Sequence, residues 1–363
     1  MEGVTLFHEK EKAKKFLDRI EGKKPLFVCV VATTETAKIP GLSAAGANPA
    51  ITDFTPPADV ELLLLGKCKC ISGVPVTPDG IPTPALITMS ALHLAKTPIL
   101  IVNAGLKVRP MVPFVDLSGS PGRDIRTGKA VENVDELFHN AQILGEHLAG
   151  TCDYLVIGES IPGGTTTALG VLLAMGFSAK GKVSSSMPAN PHTLKLETVE
   201  AGLRAAQIRP GDLKEQPLKA IEYFGDPMIA ATAGITLGAS DKAPVVMAGG
   251  TQMTSVLATL ATLNKETLSK VAIGTTRWIT GDSKSDLRGI VSEIASVPIL
   301  AANLDFASSK HAGLRAYETG VAKEGVGAGG SAISAIAKSR GEITMNRLIA
   351  EIETNYEKLI GAR

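Results

Sequence analysis

Short apolar runs alternate with helical segments along most of this chain, and that alternation restricts the fold more than any other feature. Seven runs have the length and composition of buried strands: 26–32, 62–65, 98–102, 154–157, 244–247, 271–274 and 297–302. Segments with helical spacing lie between them, including 85–95, 131–148 and 191–207. Strands that alternate with helices predict an α/β fold with a doubly wound, mostly parallel, Rossmann-like sheet.

The two ends of the chain have a different pattern. Residues 9–20 and 343–360 have the spacing of charged amphipathic helices, and no strand candidate lies near either of them. We therefore expect them to pair in a small helical domain. The predicted division is a large α/β nucleotide-binding domain over 25–310 and a small helical domain formed by 1–24 and 311–363.

Composition excludes several classes of function. The 37 basic and 36 acidic residues are dispersed, the net charge is +1, and only 4% of residues are aromatic. Such a chain has neither the basic tract nor the stacking surface that nucleic-acid binding needs, so we predict no nucleic-acid partner. The charged first 19 residues do not resemble a signal peptide, and no apolar run has the length of a membrane span. We expect a cytoplasmic protein with no membrane partner.

The four cysteines (Cys29, Cys68, Cys70 and Cys152) are typical of reduced thiols. Cys68 and Cys70 have the spacing of half a metal site, but no second cysteine pair or histidine cluster accompanies them. We therefore predict no metal centre.

A glycine-rich stretch from Gly158 to Thr167 lies between a strand candidate and a helical segment at 168–176. Such a turn directs backbone N–H groups at an anion. The spacing of Gly158 and Gly163 and the position of Thr165 match a Walker A loop, but Gly164 replaces its lysine. The stretch therefore predicts a phosphate-bearing ligand that is not hydrolysed as a nucleoside triphosphate. The alternative is an ordinary glycine turn.

Two further glycine turns carry weaker signals. Residues 325–330 fit G-x-G-x-x-G, which would indicate a dinucleotide fold. Residues 317–323 do not resemble a buried strand, however, and the 33 residues after 330 are too few for the rest of such a domain. Gly249 and Gly250 form another strand-to-helix turn, which taken alone is more typical of structure than of function.

Glu159 and Glu324 are the notable carboxylates, because each lies beside a glycine turn. A carboxylate in a partly desolvated cleft can act as a base near neutral pH. The alternative for either is a capping or solvated acid, and Glu324 in particular could be held at a helix N-terminus. The six histidines are scattered, which disfavours a Ser/His triad. These patterns indicate an α/β enzyme that binds a phosphorylated small molecule.

Four ordered motifs resemble those of the nicotinate-nucleotide–dimethylbenzimidazole phosphoribosyltransferase family. The stretch 158–166 is similar to that family's G-E-M-G-I-G-N-T-T, and 122–130 to its G-T-R/K-D/N loop. Residues 225–234 resemble its G-G-x-E-I-A-A…G helix, and 324–328 its E-G-S/T-G-A motif. Order and approximate spacing hold from about 85 to 335, so the chain resembles a divergent member.

The resemblance implies transfer of the 5-phosphoribosyl group of nicotinate mononucleotide to a benzimidazole-like base, in the assembly of a cobamide lower ligand. By resemblance, Glu324 removes the proton of the attacking base, with Glu159 as a second carboxylate. The ribose phosphate maps onto Gly163, Gly164, Thr165, Thr166, Lys195, Gly249 and Gly250, and Gly325 and Gly327 lie beside the base. The resemblance implies small-molecule substrates, no cofactor, a homodimer, and a small helical domain built from both chain ends.

Departures from the motifs leave alternatives open. Gly164 replaces an asparagine of the family, Ala248 begins the segment that is usually Asp-Gly-Phe, and Asn103 replaces an aspartate. These positions map to the base and ribose pockets, so the acceptor base stays undetermined. The second hypothesis is a non-catalytic protein that binds a nucleotide or cobamide precursor, although such a protein would not need Glu324. The third and weakest is an NAD-dependent enzyme.

Overall fold

The structure is a computed structural model that describes residues 1–43, 51–73, 75 and 80–361. Within these residues the strands form one eight-stranded sheet. They are Val4–His8 (β1), Pro25–Ala32 (β2), Ile99–Gly105 (β3), Val115–Asp116 (β4), Tyr154–Ser160 (β5), Val245–Ala248 (β6), Val271–Thr276 (β7) and Ile299–Ala302 (β8). Their order across the sheet is β1-β8-β7-β6-β5-β2-β3-β4, and every neighbouring pair is parallel except β1 with β8.

Fourteen α-helices connect or flank these strands within the described ranges. They are Lys10–Ile20 (α1), Thr55–Leu65 (α2), Ala85–Leu94 (α3), Val134–Leu148 (α4), Gly164–Ala174 (α5), His192–Ala206 (α6), Pro217–Phe224 (α7), Pro227–Ser240 (α8), Met253–Leu263 (α9), Arg277–Thr280 (α10), Leu287–Ile294 (α11), Ala312–Arg315 (α12), Ala328–Lys338 (α13) and Met345–Gly361 (α14). Short 3₁₀ helices occupy Glu35–Lys38, Thr52–Phe54, Ile125–Thr127, Lys265–Lys270 and Ala316–Thr319.

Helices cover both faces of the sheet, as its apolar strands require. Side chains alternate along β2: Val28 and Val30 face a core shared with α4 to α9 and α11. Phe27, Cys29 and Val31 face the opposite core, which is shared with α1, α2, α3, α13 and α14. The predicted α/β fold with a mostly parallel, doubly wound sheet is confirmed. The helices of the two chain ends lie on the same face, and the division at 24/25 and 310/311 stays a prediction.

The sheet has a topological switch beside its central strand. From β2 the chain moves outward to β3 and β4, and it then returns to the other side of β2 at β5. The connections after β2 and after β5 therefore leave the sheet in opposite directions, which opens a crevice at their carboxyl ends. Glu159 and Ser160 are the last two residues of β5.

The strand predicted at 62–65 is wrong, because these residues end α2. Pro56 and Pro57 lie in the first turn of that helix, where a missing N–H costs nothing. The run is too short for its periodicity to separate a buried helix from a strand. The Pro- and Gly-rich composition of 33–57 and 73–84 predicts loops in both segments. Residues 44–50 of the first and residues 74 and 76–79 of the second lie outside the described residues.

The expectation that no strand lies near the chain ends is also wrong. Residues 4–8 form β1, which pairs antiparallel with β8, so that Val4 lies opposite Ala302 and Leu6 opposite Leu300. Val4 is buried while Thr5 is exposed, the alternation of an edge strand with one covered face. The helix predicted at 9–20 follows as α1.

Candidate active site

A cleft with a volume of about 900 Å³ lies at the carboxyl ends of the strands. Its described walls come from the end of β5 and the turn before α5, from residues 184–186, from the turn 321–326 before α13, and from α2 with residues 81–84. Besides the thiol of Cys70, the described lining includes four ionisable side chains: Asp59, Glu159, Lys323 and Glu324. The cleft therefore joins the switch point of the sheet to both predicted carboxylates.

The glycine turn forms the N-terminal end of α5. Gly163 is the N-cap residue with φ 80°, and a Cβ there would lie 3.1 Å from Ala37 Cα, so a larger residue would be strained and crowded. Gly163, Gly164 and Thr165 line the cleft. The first N–H groups of a helix have no intrahelical partner and favour an anion, so this turn can hold a phosphate. Thr166 is fully buried, and its hydroxyl has no hydrogen-bond partner among the described residues.

Glu324 lies at the N-terminal end of α13, which is the alternative position that the sequence predicts for this carboxylate. Its carboxylate accepts hydrogen bonds from Gly325 N (3.1 Å) and Gly329 N (3.2 Å), and from Thr275 Oγ1 at 3.4 Å. Part of the side chain faces the cleft. Desolvation outweighs these three donors and raises the pKa of Glu324 to about 7. A carboxylate with that pKa can accept a proton near neutral pH.

Glu159 is the second carboxylate of the cleft and is 3% exposed. The side-chain amide of Gln252 donates to its Oε1. Burial first, and then the negative charges of Asp226 and Glu324, raise the pKa of Glu159 to about 8. Two interacting carboxyl groups with separated pKa values favour one neutral and one ionised group near pH 7.

The turn 324–328 docks directly on β5, which brings residues far apart in sequence together. Val326 N donates to the backbone oxygen of Glu159 at 2.9 Å, and Thr88 Oγ1 donates to Val326 O at 2.9 Å. Gly327, with φ 71°, lies so close to Gly158 that a Cβ would be 2.9 Å from Gly158 Cα. Gly325 lines the cleft, whereas Gly327 lies behind it as a packing residue.

A serine-rich segment, residues 184–186, forms another wall of the cleft. Ser184 N donates to Thr251 Oγ1 at 2.8 Å, and Ser186 O accepts from Ala322 N at 2.9 Å. The Lys195 ammonium, fully buried on α6, donates to Ser184 O at 2.5 Å. Burial, and then the charge of Lys323, lower the pKa of Lys195 to about 7. Lys195 thus supports the serine segment from behind and is not among the described lining residues.

Lys323 lines the cleft immediately before Glu324. Its ammonium forms an ion pair with Asp282 Oδ2 at 2.6 Å, and the pair is almost completely buried. Thr276 Oγ1 donates to Lys323 O at 2.6 Å, which fixes the backbone of this residue to the end of β7. The cleft wall beside the predicted base therefore contains a buried ion pair, in which Asp282 compensates the charge of Lys323.

Asp59 on α2 completes the ionisable groups of the described lining. It is 3% exposed, and its carboxylate accepts from Ser160 Oγ and from Thr83 Oγ1, both at 2.7 Å. Burial raises the pKa of Asp59 to about 6. Asp59 therefore contacts Ser160, the last residue of β5, on a wall that sequence reasoning did not assign to the site.

Several predicted residues lie near the cleft without lining it. Gly249 and Gly250 follow β6 at its carboxyl end, but Gln252, two residues later, is the one that reaches the cleft and Glu159. Gln252, Lys323 and Asp59 were missed. Gln252 and Lys323 adjoin motifs already identified, so their position was a usable signal. No sequence signal indicated Asp59, because the pattern at 62–65 predicts a strand and not the helix α2, on which Asp59 lies.

The dinucleotide alternative loses support from this geometry. The residues before the G-x-G-x-x-G match at 325–330 form a 3₁₀ helix, Ala316–Thr319, rather than the strand that a dinucleotide fingerprint needs. Cys68 and Cys70 lie near Glu61, which accepts from Lys69 N and Cys70 N. Within the described part of the chain, no group of three or more metal-ligating side chains is assembled.

The helices described there include none long and apolar enough to span a membrane.

Comparison with known proteins agrees with the fold and identifies the family. A family model described as phosphoribosyltransferase matches residues 93–283, more than half of the chain. The chain therefore belongs to the phosphoribosyltransferase family, whose members are glycosyltransferase-type enzymes.

Within that family the chain belongs to an archaeal group of proteins named UPF0284. It is 46% identical over 351 residues to such a protein from Sulfolobus acidocaldarius, covering 95% of this chain and 99% of the relative. A relative from Methanothermobacter thermautotrophicus is 45% identical over 325 residues, covering 88% and 90%. Among solved structures, the nicotinate-nucleotide-dimethylbenzimidazole phosphoribosyltransferase of Thermus thermophilus superposes with a TM-score of 0.57 at 15% identity, covering 96% of this chain and 91% of that one. That likeness confirms the fold.

Proposed function

We propose that this protein transfers the 5-phosphoribosyl group of nicotinate mononucleotide to an aromatic base, giving an α-ribazole-type 5′-phosphate and nicotinate for a cobamide lower ligand. The observation that carries the proposal is the position of Glu324. Its carboxylate has a pKa of about 7 and lies in the same cleft as the phosphate-binding turn at Gly163–Thr165. A base and an anion cradle that face one cleft suit a reaction on a phosphorylated sugar.

The proposed reaction forms one bond, breaks one bond and transfers one proton to a residue of the cleft. A ring nitrogen of the acceptor forms a bond to C1′, the bond from C1′ to the pyridinium nitrogen breaks, and its electron pair stays with nicotinate. The N–H proton of the acceptor passes to Glu324. Because the leaving group departs as a neutral pyridine nitrogen, it needs no acid, and alignment of the two reactants supplies much of the rate. Glu159, neutral at pH 7 with its pKa of about 8, borders the ribose without adding a second negative charge.

The phosphate would lie between the start of α5 and the serine segment. The N–H group of Thr165 and the hydroxyls of Ser185 and Ser186 offer neutral donors there, whereas Gly164 N already donates to Ile161 O at 3.4 Å. Lys323 is the cation of the described lining, while Lys195 acts through Ser184 O. In this arrangement neutral donors take the place of the Walker A lysine, because the charge of Lys323 is paired with that of Asp282.

The direct test is an assay of nicotinate release. The protein is incubated with nicotinate mononucleotide and a panel of benzimidazoles, phenols and adenine, and the new ribotide is identified by mass and by its anomeric configuration. Glu324→Gln is expected to lower kcat/KM by about 10²–10⁴-fold while mononucleotide binding is retained. Glu342→Gln, at an exposed carboxylate beyond α13, is the matched control and is expected to change neither.

The competing hypothesis is a protein that binds a nucleotide or cobamide precursor without turnover. Measurable mononucleotide binding with no nicotinate release for any base would support it and contradict the transferase. A homodimer is proposed from the family resemblance, and sedimentation of the protein with and without mononucleotide tests it.

A further inference from the structure

Asp59 lies in the lobe of the cleft formed by residues 54–59, 70–72 and 81–84, whose described lining is mostly apolar. The described residues around it in this lobe include Phe54, Ala58, Ile71, Ile81 and Pro82. Cys70 also lines the lobe, and burial raises the pKa of its thiol to about 12, so that it behaves as a small neutral group. An aromatic ring fits such walls, but a carboxylate among them needs a partner.

The carboxylate of Asp59 has unused acceptor capacity. Ser160 Oγ and Thr83 Oγ1 each donate one hydrogen bond, one to each oxygen. A carboxylate offers about four lone-pair sites, so two donors leave room for more. The two hydroxyls also fix the rotation of the carboxylate, which holds it toward the cleft as a positioned acceptor.

Asp59 and the predicted base flank the same space. Thr83 precedes Pro84, and a Cβ built on Gly325 would lie 3.4 Å from Pro84 Cγ, so the segment that binds Asp59 packs beside the turn of Glu324. The hydroxyl of Tyr317 donates to Pro82 O at 2.9 Å. Burial and the charges of both Asp59 and Glu324 raise the pKa of Tyr317, so both carboxylates lie within electrostatic reach of one ring.

We propose that Asp59 selects the acceptor, which is a heteroaromatic base carrying an N–H or O–H donor on the edge remote from its attacking nitrogen. This inference rests on the transferase proposed above and narrows its acceptor class. A base held with one nitrogen toward Glu324 and its far edge in the apolar lobe brings that edge to Asp59. The donor satisfies the carboxylate, whereas a methyl group at the same place leaves a buried charge against hydrocarbon. A site built around a polar partner rejects the analogue that lacks it.

The test compares 5-aminobenzimidazole with 5-methylbenzimidazole, because amino and methyl groups are nearly isosteric and only the amino group donates. For the unaltered protein we expect kcat/KM to favour the amino compound by about tenfold or more. Asp59→Asn should remove most of this preference by lowering the rate for the amino compound and raising that for the methyl compound, with an unchanged KM for nicotinate mononucleotide. The ratio of the two regioisomeric ribotides formed from the amino compound should also fall toward parity. Adenine and purine form a second matched pair.

Glu61→Gln is the control on the same helix. Glu61 accepts from the backbone N–H groups of Lys69, Cys70 and Met111 and does not line the cleft. Any disturbance of α2 by this variant should change both acceptors by the same factor and preserve their ratio.

The outcomes separate the two proposals. Equal use of both compounds by the unaltered protein, or an equal loss for both in Asp59→Asn, overturns the role of Asp59 while leaving the transferase intact. A raised KM for the mononucleotide in Asp59→Asn would assign this carboxylate to the ribose instead and also overturns it. If no base releases nicotinate, the transferase fails, and calorimetric binding of the two compounds in the presence of mononucleotide still decides whether Asp59 prefers the donor.

Discussion

At the residue scale, Glu324 and Glu159 share one cleft but differ in pKa, about 7 and about 8. As the pH rises, Glu324 ionises first, while Glu159 is still neutral. We therefore expect kcat/KM to fall on the acid side of about pH 7, where the base becomes protonated. The pH–rate profile of Glu159→Gln should have the same acid limb, because the substitution replaces a neutral carboxyl group with a neutral amide. A pH–rate profile of both proteins checks this, and a limb displaced below about pH 5 in either would contradict it.

The raised pKa of Glu159 also makes stability depend on pH. Its folded-state value of about 8 lies above the ordinary glutamate value of 4.5, so the folded protein binds the proton more tightly than the unfolded chain. This contribution is complete below about pH 4.5 and is lost as the pH rises through about 8. Relative to the unaltered protein, Glu159→Gln should therefore gain about 1.4 kcal/mol in the free energy of unfolding for each pH unit across that window.

Urea unfolding at pH 5, 6, 7 and 8 measures this difference. Glu342→Gln, at an exposed carboxylate, should follow the unaltered protein at every pH. A constant difference between Glu159→Gln and the unaltered protein would show that Glu159 is ionised throughout.

At the element scale, the turn before α13 depends on a close approach to β5. Gly327 has φ 71° and would place a Cβ 2.9 Å from Gly158 Cα, whereas Gly341 has φ 83° with nothing within 4 Å of its Cβ position. Gly327→Ala therefore adds a backbone clash to the strain that Gly341→Ala also carries. We expect about 1 kcal/mol of destabilisation for Gly341→Ala and about 2–4 kcal/mol for Gly327→Ala.

Thermal and urea unfolding of the two variants measure these costs. Because the clash would displace Val326, which donates to Glu159 O, Gly327→Ala should also weaken mononucleotide binding. Equal destabilisation by the two alanines would mean that the turn moves away from β5 without cost.

Physical reasons explain which elements could be predicted from the sequence and which could not. The parallel strands were predictable because both of their faces are covered, which requires continuous apolar runs. Helix α2 was not, because its buried run Leu62–Leu63 has no polar face to reveal a helical period. That error hid Asp59. Glu324 was predictable from its glycine turn. Gln252 and Lys323 adjoin motifs that the sequence identified, but their contacts with Glu159 and Asp282 depend on the fold and could not be predicted.

At the scale of the whole molecule, the first strand of the chain completes the sheet next to the last. Val4 and Thr5 are adjacent on β1, opposite Ala302 and Ala301, but Val4 is buried in the core and Thr5 is exposed. An aspartate substituted at each position therefore distinguishes the contribution of side-chain burial in the core from that of strand pairing. Val4→Asp places a carboxylate among apolar side chains and should cost about 2–4 kcal/mol, whereas Thr5→Asp should cost less than about 1 kcal/mol.

Urea unfolding of the two aspartate variants measures the difference, and transferase activity is assayed well below the unfolding transition. We expect activity to persist in both, because β1 lies four strands away from β5 and its cleft. Equal midpoints for the two variants would contradict the inward and outward alternation of β1. Loss of activity in folded Val4→Asp would mean that the edge of the sheet is coupled to the cleft, and α13, which packs on β8, β7, β6 and β5, is the element that would carry the coupling.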